Sequence, residues 1–269
     1  MKFAWWTTGR DAAALVLLRT VIHAIENGTI SGEIAYLFCS KEPGESEESD
    51  ALMALAQSYD IPTVYYSALR FRPKLRRSDR QHWGDSYHRQ VLQRIPKVDT
   101  DIVVLAGYMW VVSAEVCEQM DIINLHPAAP GGPVGTWQEV IWELIRQDAQ
   151  ETGVMMHLVT PELDEGPPVT YCHFPIKGVA WDHLWSQFRE KEKSIGFDRI
   201  MEEEGESEPL FSAIRREGVK RELPLIVQTL KSFALGEVKL INRRLFNANG
   251  KELSGPYDLT DAIENMLTV

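Results

Sequence analysis

The stretch Asp121-Ile-Ile-Asn-Leu-His-Pro127 decides how the chain is read. Its apolar run is a buried strand that stops at Pro127, and a strand's period of two sets Asn124 and His126 on one side at its end. The Gly/Pro loop 128–135 follows, and a helix is expected to begin near Thr136. An amide at Asn124 offers a hydrogen bond to a carbonyl oxygen at any pH, while an imidazole at His126 can donate a proton or stabilise an oxyanion near neutrality. A histidine at a strand end can equally be structural. The second feature is Thr160-Pro-Glu-Leu-Asp-Glu-Gly-Pro-Pro168, where Asp164 lies in a Gly/Pro loop between apolar runs at 154–159 and 169–174. A carboxylate held there can orient an imidazole or carry a proton through water, or it can satisfy its own backbone as an Asx turn.

Upstream and downstream of that strand, strand and helix alternate. Residues 1–6 form an apolar strand, Thr7-Thr-Gly-Arg-Asp11 a turn, and 12–26 a helix with Leu15, Leu18, Ile22 and Ile25 at helical spacing before Asn27-Gly28. A strand at 33–39 leads to a helix from Ser46 to about Tyr59, whose early acidic residues suit a helix's positive end. Strands at 61–66 and 102–107 flank a helix at 85–95, and the second of them is apolar throughout, as in central parallel sheets. The helix 136–147 is amphipathic, with Trp137 and Trp142 on its core side. A helix at 182–200, an acidic break at 201–209, a helix at 224–235 and a hairpin turning at Asn249-Gly250 complete the series. The pattern predicts a doubly wound α/β fold with a mostly parallel sheet and its site at the strands' carboxyl ends. Residues 1–200 are expected to form the α/β domain, with 201–269 a C-terminal helical insertion, helix and hairpin packed on it.

With 269 residues and 44% hydrophobic composition the chain can bury a substantial core. A formal charge of −11 argues against general nucleic-acid binding, and no apolar run reaches the length of a membrane span. The first residues read as a strand and not as a signal peptide, so a cytoplasmic protein is expected. Cys39, Cys117 and Cys172 lie far apart without metal-ligand spacing, so buried thiols and no metal are expected. Arg70, Arg72, Lys74, Arg76, Arg77 and Arg80 crowd one stretch, which could meet a phosphate, a polyglutamate tail or another subunit's acidic surface, or form a solvated loop.

Several motifs occur in one order: Val104-Leu-Ala-Gly-Tyr-Met-Trp110, Asn124-Leu-His126-Pro127, Thr152-Gly-Val-Met-Met-His157 and Leu163-Asp164-Glu165-Gly166-Pro167. In this the chain resembles the folate-dependent formyltransferases, and among them the glycinamide ribonucleotide formyltransferases most closely. The resemblance spans most of the chain and is strongest at 104–175. It implies a Rossmann-like formyltransferase fold and transfer of a formyl group from 10-formyltetrahydrofolate to the primary amine of glycinamide ribonucleotide, without a metal. It further implies that Asn124, His126 and Asp164 are catalytic, supported by His157. Met109, Trp110, Val111, Val112 and Leu163, with Asp164, would line the folate site, and Trp110 stands where the family often has Arg. Gly9, Arg10 and Asp11 would face the substrate phosphate, although Arg10 and Asp11 replace the Gly and polar residues of the family's loop. Arg189 and Glu192, three apart on one helix face, would contact the ribonucleotide and its amine; an exposed ion pair is the bland alternative. The segment 197–220 is expected to be an insertion serving assembly, such as a homodimer, or covering the site. Other acceptors, notably an amino-sugar nucleotide, a non-catalytic folate-binding homologue and a formyltetrahydrofolate hydrolase are the competing readings.

Overall fold

Alternating side chains of the first strand set the layering. In β1 (Lys2–Thr7), Phe3 and Trp5 enter one hydrophobic layer, Ala4 and Trp6 the opposite one, and all four are fully buried. A strand covered on both faces belongs at the centre of a sheet. The computed structural model, which describes residues 1–162 and 164–268, places it there.

With β2 (Glu33–Cys39), β3 (Thr63–Tyr65), β4 (Ile102–Leu105) and β5 (Ile122–His126), β1 forms a parallel half ordered β3-β2-β1-β4-β5. β6 (Glu151–Leu158) runs antiparallel to β5, and β7 (Pro168–Pro175) antiparallel to β6. After a separate hairpin of β8 (Val238–Ile241) and β9 (Arg244–Asn247), the short β10 (Tyr257–Asp258) closes the far edge beside β7. The sheet is mostly parallel, with helices on both faces. Those helices are α1 (Ala12–Glu26), α2 (Glu47–Ser58), α3 (Pro73–Ser78), α4 (Arg80–Arg94), α5 (Ala114–Gln119), α6 (Trp137–Arg146), α7 (Asp182–Ile195), α8 (Phe197–Glu203), α9 (Pro209–Ala234) and α10 (Thr260–Leu267). Among the described residues no helix is long and apolar enough to cross a membrane.

The expected elements are present, and the differences have physical reasons. The strand expected over 61–66 pairs only at Thr63–Tyr65. The basic stretch is not a loop: Pro73 opens α3, and Asp79 caps α4, which starts ahead of residue 85. Arg70 of that stretch is paired with Glu42 and Glu45, each at 3.0 Å. The helix expected over 182–200 ends at Gly196, whose φ of +85° only glycine adopts without strain, and α8 restarts beyond it.

The acidic break is largely helical. Glu204 and Glu208 converge on Lys191 of α7 at 2.6 and 3.2 Å, and Glu208 caps α9 by accepting from the Phe211 N–H. α9 therefore begins well before Pro224, which sits inside the helix; the charged run from Arg215 to Glu222 hid its periodicity, while Leu210, Phe211 and Ile214 pack inward. The segment 197–220 is thus part of a hydrophobic layer shared with α6 and α7.

The β8–β9 turn is Asn242-Arg243, with φ of +49° and +62°, while Asn249-Gly250 forms the next turn, which carries Phe246 to its bridge with Glu252. Arginine is an unusual second residue for such a turn, so this turn carries no local signal. Here Arg243 donates to the Cys117 and Val159 carbonyls, the second at 2.8 Å.

Arg221, nearly buried on α9, makes two hydrogen bonds to Glu264 of α10, at 2.6 and 3.0 Å, and a third to Glu217 at 3.1 Å. Arg221 is the buried member, while Glu264 and Glu217 keep part of their side chains in solvent. Arg221→Met is expected to cost on the order of 1–2 kcal/mol in urea unfolding; an unchanged midpoint would show that this pair does not anchor the C-terminal segment.

Candidate active site

The loop between β6 and β7 folds back on its own strand. A Cβ on Gly166 would lie 1.6 Å from the Leu158 carbonyl oxygen, so only glycine lets the backbone pass. Asp164 then adopts a left-handed φ of +56°, tolerable for Asp, and its carboxylate is set between two imidazoles. Oδ2 lies 3.8 Å from His126 Nδ1 and Oδ1 lies 3.6 Å from His157 Nε2. The two rings stand edge to face with centroids 6.0 Å apart.

The partners fix the neutral tautomers. His126 Nε2 faces the Pro133 carbonyl at 3.0 Å, so it carries the hydrogen and leaves Nδ1 bare toward Asp164. His157 Nδ1 faces the Leu158 carbonyl at 3.3 Å, and its Nε2 lies between Asn124 Nδ2 at 3.3 Å and Asp164 Oδ1 at 3.6 Å. Asn124 thereby keeps one amide hydrogen to give. Burial of His126 pushes its pKa below the ordinary value, while the Pro133 carbonyl and the Asp164 carboxylate oppose that shift. The His157 contact, helped by the nearby His126, holds Asp164 below the usual carboxylate range against its own desolvation. Both shifts favour the deprotonated groups in the fold, so their stabilisation is present near neutrality and is lost as pH falls.

Asn124, His157 and Asp164 form the polar side of a small cavity whose other walls include Leu105, Tyr108, Trp110, Val111, Val112 and Val159. His126 is buried behind them, reaching the cavity through Asp164. Apolar walls with a few convergent polar groups are the make-up of a small-molecule site. Tyr108 is held by its hydroxyl, which donates to His88 Nε2 at 3.0 Å; burial pushes the His88 pKa down to about 4, keeping it a neutral acceptor. Trp110 packs beside Trp83 and below the Arg76 guanidinium, 5.8 Å from its ring centroid. Met109 is exposed, and its N–H is tied to Thr8. Leu163 lies outside the described residues. No group of three His, Cys, Asp or Glu able to hold a metal ion occurs among the described residues.

The other expected residues lie apart from this cluster. Asp11 caps α1 by accepting from the Ala14 N–H, Arg10 pairs with Asp11 at 3.2 Å, and Gly9 turns at φ +56° against Ser49. This loop adjoins the 107–112 segment, since Thr8 N donates to the Gly107 carbonyl at 3.1 Å. Arg189 pairs with Asp148 on the α6–β6 turn at 2.8 Å, and neither it nor the exposed Glu192 lines the cavity. Thr8, Ser40 and Lys41 carry no mark in the sequence reading, and Tyr108 enters it only as part of the 104–110 motif. Thr8, Ser40 and Lys41 follow the carboxyl ends of β1 and β2, where such folds place their sites, so position was a usable signal. Lys41 Nζ contacts the Gly9 carbonyl at 3.3 Å and Ser46 Oγ at 2.9 Å, with no carboxylate partner among the described residues.

The family profile described as formyl transferase matches residues 13–197. Phosphoribosylglycinamide formyltransferase of Schizosaccharomyces pombe is 30% identical over 172 residues, covering 59% of this chain and 77% of that protein. The Escherichia coli protein of the same name is 24% identical over 181 residues, 66% of this chain and 77% of its own. Among solved structures, the phosphoribosylglycinamide formyltransferase of Coxiella burnetii superposes with a TM-score of 0.64 at 18% identity, over 96% of this chain and 99% of that one. A formyltetrahydrofolate deformylase from Pseudomonas syringae superposes with 0.58 at 18% identity, over 91% and 65%. At these identities the structural likeness establishes the shared fold alone.

Two outcomes test the geometry. Gly166→Ala is expected to cost about 3 kcal/mol or more in thermal or urea unfolding, because a backbone carbonyl must move; a near-neutral change would contradict the close approach. Asp164→Asn removes the negative charge that favours the imidazolium, so His126 should titrate at lower pH by NMR. A titration at the same or higher pH would refute the contact.

Proposed function

The chain belongs to the formyl transferase family, and on that premise we propose that it transfers a formyl group from 10-formyltetrahydrofolate to the primary amine of glycinamide ribonucleotide, a step of purine synthesis. The observation that carries this reading is the cluster of Asn124, Asp164 and His157 at the polar side of an apolar-walled cavity, with the His126 imidazole behind Asp164. The relatives' names support the acceptor.

The bound folate supplies an activated formyl carbon. The acceptor nitrogen attacks that carbon, the bond from carbon to N10 of the folate breaks, and the proton lost by the amine returns to N10. Asn124 donates its free amide hydrogen to the formyl oxygen as charge develops there. Asp164 faces the cavity and conducts the proton; the bare Nδ1 of His126 holds it in transit, the imidazolium stabilised by the carboxylate and by Nε2–H on the Pro133 carbonyl. Once charged, Nδ1–H also becomes a donor. His157 keeps Asn124 and Asp164 in register.

Arg10 and Lys41, set against Asp11, give the acceptor loop a cationic balance that suits a phosphorylated amine. The Asp11 carboxylate at the start of α1, where an anion would otherwise be drawn, favours a second reading in which the acceptor is another amine such as an amino-sugar nucleotide. Buried, unpaired cysteines fit a reducing compartment and hence a cytoplasmic enzyme.

The absorbance change on conversion of 10-formyl-5,8-dideazafolate tests the reading. Turnover should require glycinamide ribonucleotide, and Asn124→Ala or His126→Ala should lower it on the order of 10²–10³-fold. Turnover with an amino-sugar nucleotide instead would favour the second acceptor, and loss of absorbance without any amine would indicate hydrolysis.

A further inference from the structure

Three polar side chains unused by this chemistry form one hydrogen-bonded chain beneath both substrate loops. Trp110 Nε1 donates to Ser40 Oγ at 3.1 Å, and Ser40 Oγ donates to Thr8 Oγ1 at 2.9 Å. The Met109 N–H donates to the same Thr8 oxygen at 3.0 Å. Ser40 is 1% exposed and Thr8 is 6% exposed, so neither hydroxyl can exchange its partners for bulk water. Both lone pairs of Thr8 Oγ1 are taken, and its own hydroxyl hydrogen has no acceptor among the described residues. A buried donor in that state gains from any acceptor brought within reach.

The two ends of the chain lie in different places. Trp110 is a wall of the cavity assigned to the folate, whereas Thr8 leads directly into Gly9, Arg10 and Asp11. Ser40 is fixed between them by its N–H on the Thr7 carbonyl at 2.9 Å. A ring packed against Trp110 restrains the indole N–H, hence the direction of the Ser40 hydroxyl, hence the rotamer of Thr8. An anionic group at the Gly9 loop that accepts from Thr8 imposes the same order from the other end, and hydrogen bonds in such a chain strengthen one another.

We infer that Ser40 is a positioning residue that couples the two substrate sites: filling the folate cavity raises the affinity of the Gly9 loop for the acceptor, and the acceptor raises folate affinity by the same factor. This rests on the proposed function for the identity of the two ligands. It makes ordered or synergistic binding a property of the Thr8–Ser40–Trp110 chain and not of direct contact between substrates.

Calorimetric titration of glycinamide ribonucleotide into the full chain, with and without saturating 5,8-dideazafolate, reads the coupling as a ratio of affinities. The wild type should show a ratio of about 5 or more. Ser40→Ala removes the middle link, and Trp110→Phe keeps a ring while deleting the indole donor; each should bring the ratio toward 1. A role in stability alone would lower Tm and leave the ratio in place. A ratio of 1 in the wild type, or an unchanged ratio in the variants, overturns the inference. If dideazafolate binds but glycinamide ribonucleotide binds in neither state, the acceptor assignment falls and takes this inference with it.

Discussion

The missing side chain at Gly166 is the constraint on which the site depends. Because the backbone there presses against the Leu158 carbonyl, the loop after β6 cannot extend into solvent and instead turns back over the sheet. Asp164 accepts a left-handed conformation as a result, and its carboxylate is brought to two histidines contributed by neighbouring strands. Each histidine has one nitrogen committed to a backbone carbonyl. The committed nitrogens fix the ring orientations, so the remaining nitrogens are the ones that face Asp164. The carboxylate and the His126 imidazole are both held in their deprotonated forms there, ready to take a proton only in passing.

The sheet supplies the frame for this. β5 and β6 are antiparallel neighbours, which sets Asn124 directly opposite His157 and makes their side-chain bond a cross-strand pair. The parallel half contributes the carboxyl ends of β1, β2 and β4, from which Thr8, Ser40 and the 107–112 segment reach one another. Asn124, His126 and His157 of the candidate cluster are therefore held on strands and Asp164 is brought to them by the β6–β7 loop, whereas much of the cavity wall comes from loops tied together by neutral hydrogen bonds. That division suits a transferase, which must hold reacting groups firmly and still admit two substrates.

Local pattern was enough to read much of this. The strand ending at Pro127, the helix beginning near Thr136 and the Gly/Pro loop that carries Asp164 are each visible in a few residues, and the motif order supplied the family resemblance. What stayed hidden depended on distant partners. Pro133 contributes only a carbonyl, which carries no side-chain signal. Ser40 and Thr8 become neighbours only through the parallel register of β1 and β2. Pro224 has the character of a helix start, and the charged run before it masks the face of α9 that carries Phe211 and Ile214. The acidic residues 204 and 208 carry no local signal of order, because the partner between them, Lys191, belongs to α7.

The most direct test of the central claim follows the carbon itself. With donor labelled with ¹³C at the formyl carbon and glycinamide ribonucleotide present, NMR should show the label leaving the folate and appearing as an N-formyl amide, with formate a minor product. Label collecting as formate while the amine stays unmodified would contradict formyl transfer and identify water as the acceptor.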